Sequence, residues 1–263
     1  MILTAENYYS QEADNEYLSV SQYHNFIGTL AFKGCESAAI AKIKGTYQTE
    51  PSEAMLIGSY VDAYFEGLLT EFKAKTPQIF TQKGELLAKF KQADEIIKSA
   101  ENDELFMRYM VGEGQSQVIL TGEIDGVKWK GKIDRLHKGI CIVDGKVIAS
   151  INDKIWVESV GKVNFISAYG YIDQAAIYQE LWVQISGERL PFFIAALTKE
   201  KVCDKAIIQI PQTEMDMALD LIKMSQKHII DLKNAEYPPV RCEKCDYCKS
   251  TKKLSNTISY YDL

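Results

Sequence analysis

Residues 122–146, GEIDGVKWKGKIDRLHKGICIVDGK, restrict the fold of this chain most, because their pattern predicts three short strands and two tight turns. Asp125-Gly126 is a typical hairpin dipeptide, and it lies between two runs in which apolar and polar residues alternate. A second turn is predicted at residues 137–139, and the nearly all-apolar run at residues 140–143 indicates a buried strand. The segment is therefore expected to form a short β-meander.

The ends of these predicted strands carry two aspartates and a lysine. Asp144 and Lys146 are two positions apart, so both point to the same face, and the neighbouring strand would bring Asp134 beside them. Two adjacent carboxylates need a cation at neutral pH, and Mg²⁺ prefers oxygen ligands. A lysine beside the metal orients or deprotonates the attacking water, or stabilises developing phosphate charge. The set suits metal-assisted phosphodiester hydrolysis; solvated strand ends and a surface lysine are the alternative.

The composition of the 263-residue chain narrows its class. With 46% hydrophobic residues, it can bury a core and is expected to form one α/β domain with small terminal additions. No apolar run approaches the roughly 20 residues of a membrane span, and the acidic beginning lacks the pattern of a signal peptide, so a cytoplasmic protein is expected. Neither a nucleotide-binding loop nor a hydrolase triad pattern is found in the sequence.

The net charge of −6 is not the general footprint of a nucleic-acid-binding protein. Any contact with DNA must then come from a local basic patch, with metal ions neutralising the acidic site. The candidate phosphate contacts on the second predicted strand are Lys128, Lys130, Lys132 and Arg135. A solvated strand face is the alternative for these four side chains.

Apolar periodicity predicts helices at about residues 18–32, 36–44, 53–70, 81–110, 164–183 and 213–233, and further strands at 117–124, 191–197 and 205–210. The third helix carries Asp62 among apolar residues, where an aspartate needs a partner; a solvated face or a lysine partner is the alternative. Gly58 lies one turn earlier on the same side, and its cost of about 1 kcal/mol relative to alanine indicates a close approach of another segment.

The order of these motifs resembles the PD-(D/E)xK nuclease superfamily. A helix with Asp62 precedes strands with Asp134 and Asp144-Gly145-Lys146, and a helix with Gln174 and Tyr178 follows. The resemblance runs from about residue 18 to 248 and is greatest to the RecB/RecE-like exonucleases of phages and prophages, of the exodeoxyribonuclease VIII C-terminal type. It implies a restriction-endonuclease-like α/β fold, with a mixed sheet of about five strands flanked by helices. One nuclease domain is expected, with a helical part at residues 1–115, a catalytic core at 116–212 and a C-terminal helix with a cysteine-rich tail at 213–263.

The resemblance also implies roles for individual residues. Asp134 and Asp144 would be the two acidic ligands of Mg²⁺, and Lys146 would be the catalytic lysine. The carbonyl of Gly145 often ligates metal at this position in the family. Asp62 lies where relatives often carry a metal-binding histidine, and its carboxylate suits Mg²⁺ better than an imidazole does.

Gln174 and Tyr178 match the Q-x-x-x-Y motif of this branch, and as residues i and i+4 of a helix they share a face. In relatives the motif is thought to contact DNA and support the site. Val147-Ile148 is a departure, because relatives usually carry two threonines after the lysine.

The resemblance implies an exonuclease that acts on duplex DNA ends in phage-type homologous recombination, dependent on Mg²⁺ with Mn²⁺ as a substitute. A single-strand annealing protein and a homo-oligomer are implied as partners. A catalytically weak DNA-binding relative is one alternative, because the threonine pair is missing.

Four cysteines lie outside the predicted core. Cys242, Cys245 and Cys248 form C-x-x-C-x-x-C, and Cys35 lies far upstream; four thiolates suit Zn²⁺ or an iron–sulfur cluster. AddB helicase-nucleases and CRISPR adaptation nucleases look similar, since they hold a [4Fe–4S] cluster with one cysteine before the core and three after it. Their last cysteine follows five intervening residues, whereas here it follows two. An iron–sulfur nuclease of that type, a zinc site and a tail of free thiols all stay open.

Overall fold

Residues 1–262 are described by the computed structural model. Within them the chain forms seven strands: β1 (Gln115–Ile124), β2 (Val127–His137), β3 (Cys141–Ile148), β4 (Ile155–Val157), β5 (Gly161–Val163), β6 (Phe192–Thr198) and β7 (Lys205–Ile210). Five of them form one sheet in the order β1-β2-β3-β6-β7, while β4 and β5 form a separate hairpin. In the large sheet β3 and β6 are parallel, and the other neighbours are antiparallel. The predicted mixed sheet of a restriction-endonuclease-like fold is confirmed.

The same part of the chain forms eleven α-helices: α1 (Gln11–Glu16), α2 (Val20–Ile27), α3 (Glu36–Ile43), α4 (Glu53–Phe65), α5 (Leu69–Lys75), α6 (Gln92–Glu101), α7 (Glu104–Met110), α8 (Phe165–Ala168), α9 (Tyr171–Ser186), α10 (Gln212–Lys233) and α11 (Asp246–Ser250). Short 3₁₀ helices cover Pro77–Ile79, Ala88–Phe90 and Tyr260–Asp262. Among the described residues, no helix is both long enough and apolar enough to cross a bilayer.

Two hydrophobic layers bury the sheet on both faces. Helices α2, α9 and α10 contribute to one layer, which we call the α9 layer, and α4, α6 and α7 contribute to the other, the α4 layer. Successive side chains of β3 alternate between them: Ile142 packs in the α9 layer and Val143 in the α4 layer. Burial on both faces explains why β3, the third strand of the meander, begins with an apolar run.

The predicted meander is present, with one difference at its end. Asp125 and Gly126 adopt φ angles of 48° and 77°, as a two-residue hairpin turn with left-handed backbone requires. The third strand does not end at Lys146 but continues through Val147 and Ile148, because both of these residues pair with β6.

The predicted helix at residues 81–110 is wrong over its first part. Phe80 and Leu86 form an isolated antiparallel bridge, so this segment folds back on itself before α6 begins. The remainder is divided into α6 and α7. Asp103 separates them and caps α7 by accepting a hydrogen bond from the backbone N–H of Phe106 at 2.9 Å.

Two further predicted helices are interrupted or shortened at glycines. The helix expected to reach residue 32 ends at Ile27, because Gly28 has a φ of 87° and cannot continue it. The helix predicted at residues 164–183 is divided into α8 and α9 by Gly170, whose φ is 70°.

Candidate active site

Strands β2 and β3 separate at the centre of the sheet. Their pairing covers three positions and ends with Arg135 opposite Val143. Asp134 and Asp144 are the next residues of the two strands, and from there β2 continues beside β1 while β3 continues beside β6. Asp134 Oδ2 accepts a hydrogen bond from the backbone N–H of Gly145 at 2.9 Å. This N–H group has no backbone partner on β2, because the pairing of the two strands has ended, and the carboxylate takes the place of that partner. The point of separation therefore brings both predicted acidic residues together.

Lys146 lies against the same pair of carboxylates. Its Nζ forms an ion pair with Asp144 Oδ2, and it lies 5.0 Å from the ring centroid of Tyr171. Burial lowers the pKa of Lys146, but the charges of Asp144 and Asp134 outweigh that effect and raise the pKa above its ordinary value. The lysine is therefore protonated at neutral pH. The prediction that Asp144 and Lys146 share a face is correct.

Helix α4 brings Asp62 to the site from the opposite side of β3. A Cβ atom added at Gly145 would lie 3.8 Å from Asp62 Oδ1, an ordinary contact, but 2.9 Å from Met110 Cε of α7, so the glycine leaves room for Met110. The close approach predicted at Gly58 is wrong, since a Cβ there would meet only Val147 Cβ, at 3.9 Å. Helix α4 thus places Asp62 beside Gly145, the residue before Lys146.

Burial and mutual repulsion raise the pKa values of two of these carboxyls. Burial raises the pKa of Asp62 to about 7, with Lys146 opposing the rise. Burial and, next, the charge of Asp144 raise the pKa of Asp134 well above its ordinary value. The cluster therefore has too little positive charge for its carboxylates when no metal ion is bound.

The raised pKa of Asp62 gives a prediction for metal binding. Only the ionised carboxylate is a good ligand, so we expect the affinity for Mg²⁺ to rise about tenfold for each pH unit below pH 7 as Asp62 ionises. Between about pH 4 and pH 7, the folded metal-free protein keeps the carboxyl of Asp62 protonated, whereas the unfolded chain has lost this proton. Its stability should therefore fall as the pH rises from about 4, the unfolded pKa, to about 7, the folded pKa.

Calorimetric Mg²⁺ titrations and urea unfolding across this pH range measure both effects. Asp62→Asn removes the carboxyl at position 62 and is the matched control, because both pH profiles should become shallower and keep only the contribution of Asp134. An affinity of the wild-type protein that is the same at pH 6 and pH 8 would contradict the prediction.

Helix α9 holds Asp144 from the other side. Gln174 Nε2 donates to Asp144 Oδ1 at 2.6 Å, while Lys146 occupies the second oxygen, so both oxygens have a fixed partner. Tyr178 lies one helical turn further along, and its buried ring packs on Gly131 of β2. Burial raises the pKa of Tyr178, and the charge of Asp144 raises it further, so its phenol stays neutral. The predicted Q-x-x-x-Y pair thus contacts the acidic strands directly.

Gly131 is the position at which the packing of Tyr178 can be tested. A Cβ there would lie 2.8 Å from the Tyr178 ring, closer than such contacts allow, so Gly131→Ala must displace the ring. We expect a loss of stability of about 1–3 kcal/mol in urea unfolding, together with reduced DNA hydrolysis. Gly58→Ala is the matched control, since its Cβ has space and should stabilise α4 by up to about 1 kcal/mol. Equal stabilities of the two variants would contradict the expectation.

Glu66 also belongs to the site, although the sequence did not point to it, and it lies near Lys132, which was predicted as a phosphate contact. Glu66 follows Asp62 by one turn of α4, and its Oε1 accepts a hydrogen bond from Gln117 Nε2. Gln117 lies across from Asp134 on β1 with a φ of 55°, where regular pairing is interrupted. Burial raises the pKa of Glu66, and Lys132 opposes the rise. The i, i+4 spacing of the two α4 carboxylates was the available signal.

Two of the four predicted phosphate contacts, Lys130 and Lys132, line the cleft. Of these two, Lys130 forms a structural ion pair. Lys130 is buried and donates to a carboxylate and a carbonyl of the N-terminal segment at 2.6 and 2.7 Å. Lys128 pairs with a glutamate of α1 at 3.0 Å, and Arg135 donates to two backbone carbonyls after α7. The prediction is therefore wrong for Lys130 and Arg135, whose positive charges hold the fold together. Lys132 is the one that faces the acidic residues.

The acidic residues open into a cleft of about 360 Å³. The N-terminal segment forms its other wall, where Lys132 Nζ lies 5.8 and 5.0 Å from the ring centroids of Tyr8 and Tyr9. Lys42 of α3 also lines the cleft and donates to Asn25 Oδ1 at 3.0 Å. The cleft thus combines cations and aromatic rings with carboxylates.

The four predicted cysteine ligands also come together, away from the acidic cluster. Cys35 is the N-cap residue of α3, and its Sγ lies 3.6 Å from Cys248 Sγ. Cys242 Sγ lies 3.9 Å from Cys248 Sγ, and the sulfur atoms of all four, including Cys245, lie within 4.8 Å of one another. All six cysteines of the chain are free thiols.

Comparison with known proteins identifies the family. The sequence profile of the family described as "PDDEXK-like domain of unknown function (DUF3799)" matches residues 19–251. The chain belongs to this family.

A solved structure from Eubacterium rectale, at 2.19 Å resolution and provisionally described as an exonuclease, is 50% identical, with all of this chain and 98% of the other covered and a TM-score of 0.95. A structure of SSO0001 is 13% identical, covers 72% of this chain and 83% of the other, and has a TM-score of only 0.29. No curated protein matches the chain. Membership of the PD-(D/E)xK superfamily is confirmed, and the RecE-like branch stays a prediction.

Proposed function

We propose that the protein is a metal-dependent deoxyribonuclease that releases nucleotides from the ends of duplex DNA. The observation that carries the proposal is the convergence of Asp62, Asp134 and Asp144 with Lys146 in one cleft, at the point where β2 and β3 separate. The family membership supports hydrolysis of nucleic acid, and the provisional description of the E. rectale relative supports an exonuclease.

The donor set fits a hard divalent cation. Three carboxylates lie near one lysine, and burial, with repulsion from Asp144 in addition, raises the pKa values of Asp62 and Asp134. Carboxylate oxygens are the ligands that Mg²⁺ prefers, and Mn²⁺ accepts the same set. We propose Asp134 and Asp144 as the main ligands, with Asp62 assisting. When bound, the ion would supply an activated water and shield the leaving oxygen.

The chain's own residues would position the reacting groups. Lys146 stays protonated beside Asp144, so it can donate a hydrogen bond to a phosphate oxygen or to the attacking water, which favours an orienting role over that of a base. Gln174 keeps Asp144 in place. Lys132 supplies a second positive charge to the cleft and is the proposed contact for the phosphate backbone.

The residues after Lys146 do not argue against catalysis. Val147 packs in the α4 layer and Ile148 in the α9 layer. Each side chain therefore makes an apolar contact at a position where relatives usually carry a threonine hydroxyl. Among the described residues, the buried side-chain nitrogen and oxygen atoms without a hydrogen-bond partner are Arg135 Nε and Trp182 Nε1. Neither belongs to the acidic cluster, so the absence of the two threonine hydroxyls leaves no fully buried side-chain nitrogen or oxygen there without a partner.

The biological setting in the proposal rests on the resemblance to RecE-type exonucleases. It comprises phage-type homologous recombination in the cytoplasm, with a single-strand annealing protein as partner and a homo-oligomer as the working form. The proposal treats the chain as one nuclease domain, in which residues 116–212 form the catalytic core. The free thiols support a reducing compartment.

The decisive experiment compares a linear duplex with a covalently closed circle of the same sequence, in Mg²⁺ and in Mn²⁺. We expect acid-soluble nucleotides from the linear DNA and none from the circle. Cleavage of the circle would replace the exonuclease with an endonuclease. If neither DNA is cut with either metal while linear DNA is still bound, the proposal fails and the protein is a DNA-binding relative.

A further inference from the structure

We propose that Cys35, Cys242, Cys245 and Cys248 bind a single structural Zn²⁺ ion. The inference does not depend on the nuclease activity, since the four sulfur atoms lie outside the acidic cleft. It differs from the [4Fe–4S] cluster that the resemblance to AddB and CRISPR adaptation nucleases implies.

The distances between the sulfur atoms distinguish a Zn²⁺ ion from a [4Fe–4S] cluster. A Zn–S bond of about 2.3 Å and a tetrahedral angle place neighbouring thiolates about 3.8 Å apart. The separations of 3.6 Å from Cys35 to Cys248 and 3.9 Å from Cys242 to Cys248 agree with that value, and all four sulfurs lie within 4.8 Å. A cubane cluster inserts four irons and four sulfides between its ligands and holds the thiolates roughly 6 Å or more apart. The observed set is too small for it.

The surrounding backbone is arranged to support thiolate ligands. The backbone N–H of Cys245 donates to Cys242 Sγ at 3.3 Å, and that of Cys248 donates to Cys245 Sγ at 3.5 Å. Arg241 Nη2 donates to the carbonyl of Cys248 at 2.6 Å and fixes the turn. Hydrogen bonds of this kind orient sulfur ligands and lower the cost of placing negative charge on them.

Four thiolates leave no open coordination position, so the ion would be structural and not catalytic. It would join the tail to the beginning of α3, across 213 residues of sequence. The chain just before the cysteines already contacts that helix: Ser37 Oγ donates to the carbonyl of Pro239 at 2.9 Å, and the N–H of Val240 donates to Glu36 Oε2 at 2.7 Å.

The position of α3 gives the ion a consequence for the cleft. Ala39, Lys42 and Ile43 of this helix line the cleft that holds the acidic residues. A cation bound at the N-cap of α3 would therefore fix one wall of the nuclease cleft from outside. Loss of the ion should loosen that wall and lower the thermal stability of the protein.

The test is the metal content of the full-length protein, purified without oxygen from cells supplied with both iron and zinc. We expect about one zinc per chain and no acid-labile sulfide. Cys35→Ser and Cys248→Ser should lose the zinc, whereas Cys203→Ser should keep it, because Cys203 is a loop thiol outside the set. A strong chelator should lower the melting temperature of wild type and Cys203→Ser by several degrees.

Three results would overturn the proposal. Iron and sulfide in equal amounts, with a brown colour, would establish the iron–sulfur cluster. Metal-free wild-type protein whose four thiols all react with a thiol reagent would establish a free cysteine tail. A disulfide among the four in the protein as purified would establish a redox pair. Each result is read on wild-type protein, so the outcome does not depend on the folding of a variant.

Discussion

Asp144→Asn is expected to lower the hydrolysis of linear duplex DNA by about 10³-fold or more while leaving the protein folded. Asp144 is only 2% exposed and lies at the centre of the site: Gln174 donates to one of its oxygens and Lys146 is paired with the other. Asparagine keeps the shape but removes the charge that would hold a metal ion. The amide NH₂ group of the new asparagine would also point at Gln174 or at Lys146, both of which are hydrogen-bond donors. The measurement is kcat/KM for nucleotide release with saturating Mg²⁺.

Asp153→Asn is the matched control, because it removes the same charge from an exposed position in the loop after β3. It should retain full activity. Mg²⁺ titration of the metal-free protein separates the cause, since Asp144→Asn should bind the ion far more weakly than Asp153→Asn does. An Asp144→Asn variant that keeps a tenth of wild-type activity would remove this residue from the catalytic site.

The strands that carry the acidic residues could be predicted from the sequence because local chemistry determines them. The Asp125-Gly126 turn fixes the first hairpin, and the two-residue period places Asp144 and Lys146 on one face. The helix bounds were less predictable. Gly28 and Gly170 end or interrupt helices whose apolar period continues past them, since periodicity records burial and not backbone conformation.

The wider site could not be predicted, because long-range packing creates it. Lys130 and Lys132 read as alike on a strand with alternating lysines, yet the N-terminal segment buries the first and leaves the second at the cleft. The position of Asp62 beside Gly145 depends on how α4 crosses the sheet, and no local pattern specifies that crossing. The grouping of Cys35 with Cys248 was predicted only through the resemblance, because it requires the tail to return to α3.

Lys146→Met should also reduce DNA hydrolysis strongly, by about 10²–10³-fold, because methionine keeps the length of the side chain and removes its charge. A second effect distinguishes electrostatics from packing. Lys146 opposes the rise in the pKa of both Asp62 and Asp134, so its removal should raise both values further. The pH at which Mg²⁺ binding develops should therefore move upward from about 7, as measured by calorimetry.

Lys146→Arg separates the two functions of this lysine. It keeps the charge, so we expect the pH dependence of Mg²⁺ binding to return close to that of wild type. The planar guanidinium cannot take the position of the ammonium between Asp144 and the ring of Tyr171, so activity should stay well below wild type. If Lys146→Met instead hydrolyses DNA at the wild-type rate and binds Mg²⁺ with an unchanged pH profile, the lysine has no part in catalysis. The catalytic charge would then have to come from another cation of the cleft, with Lys132 the first to test.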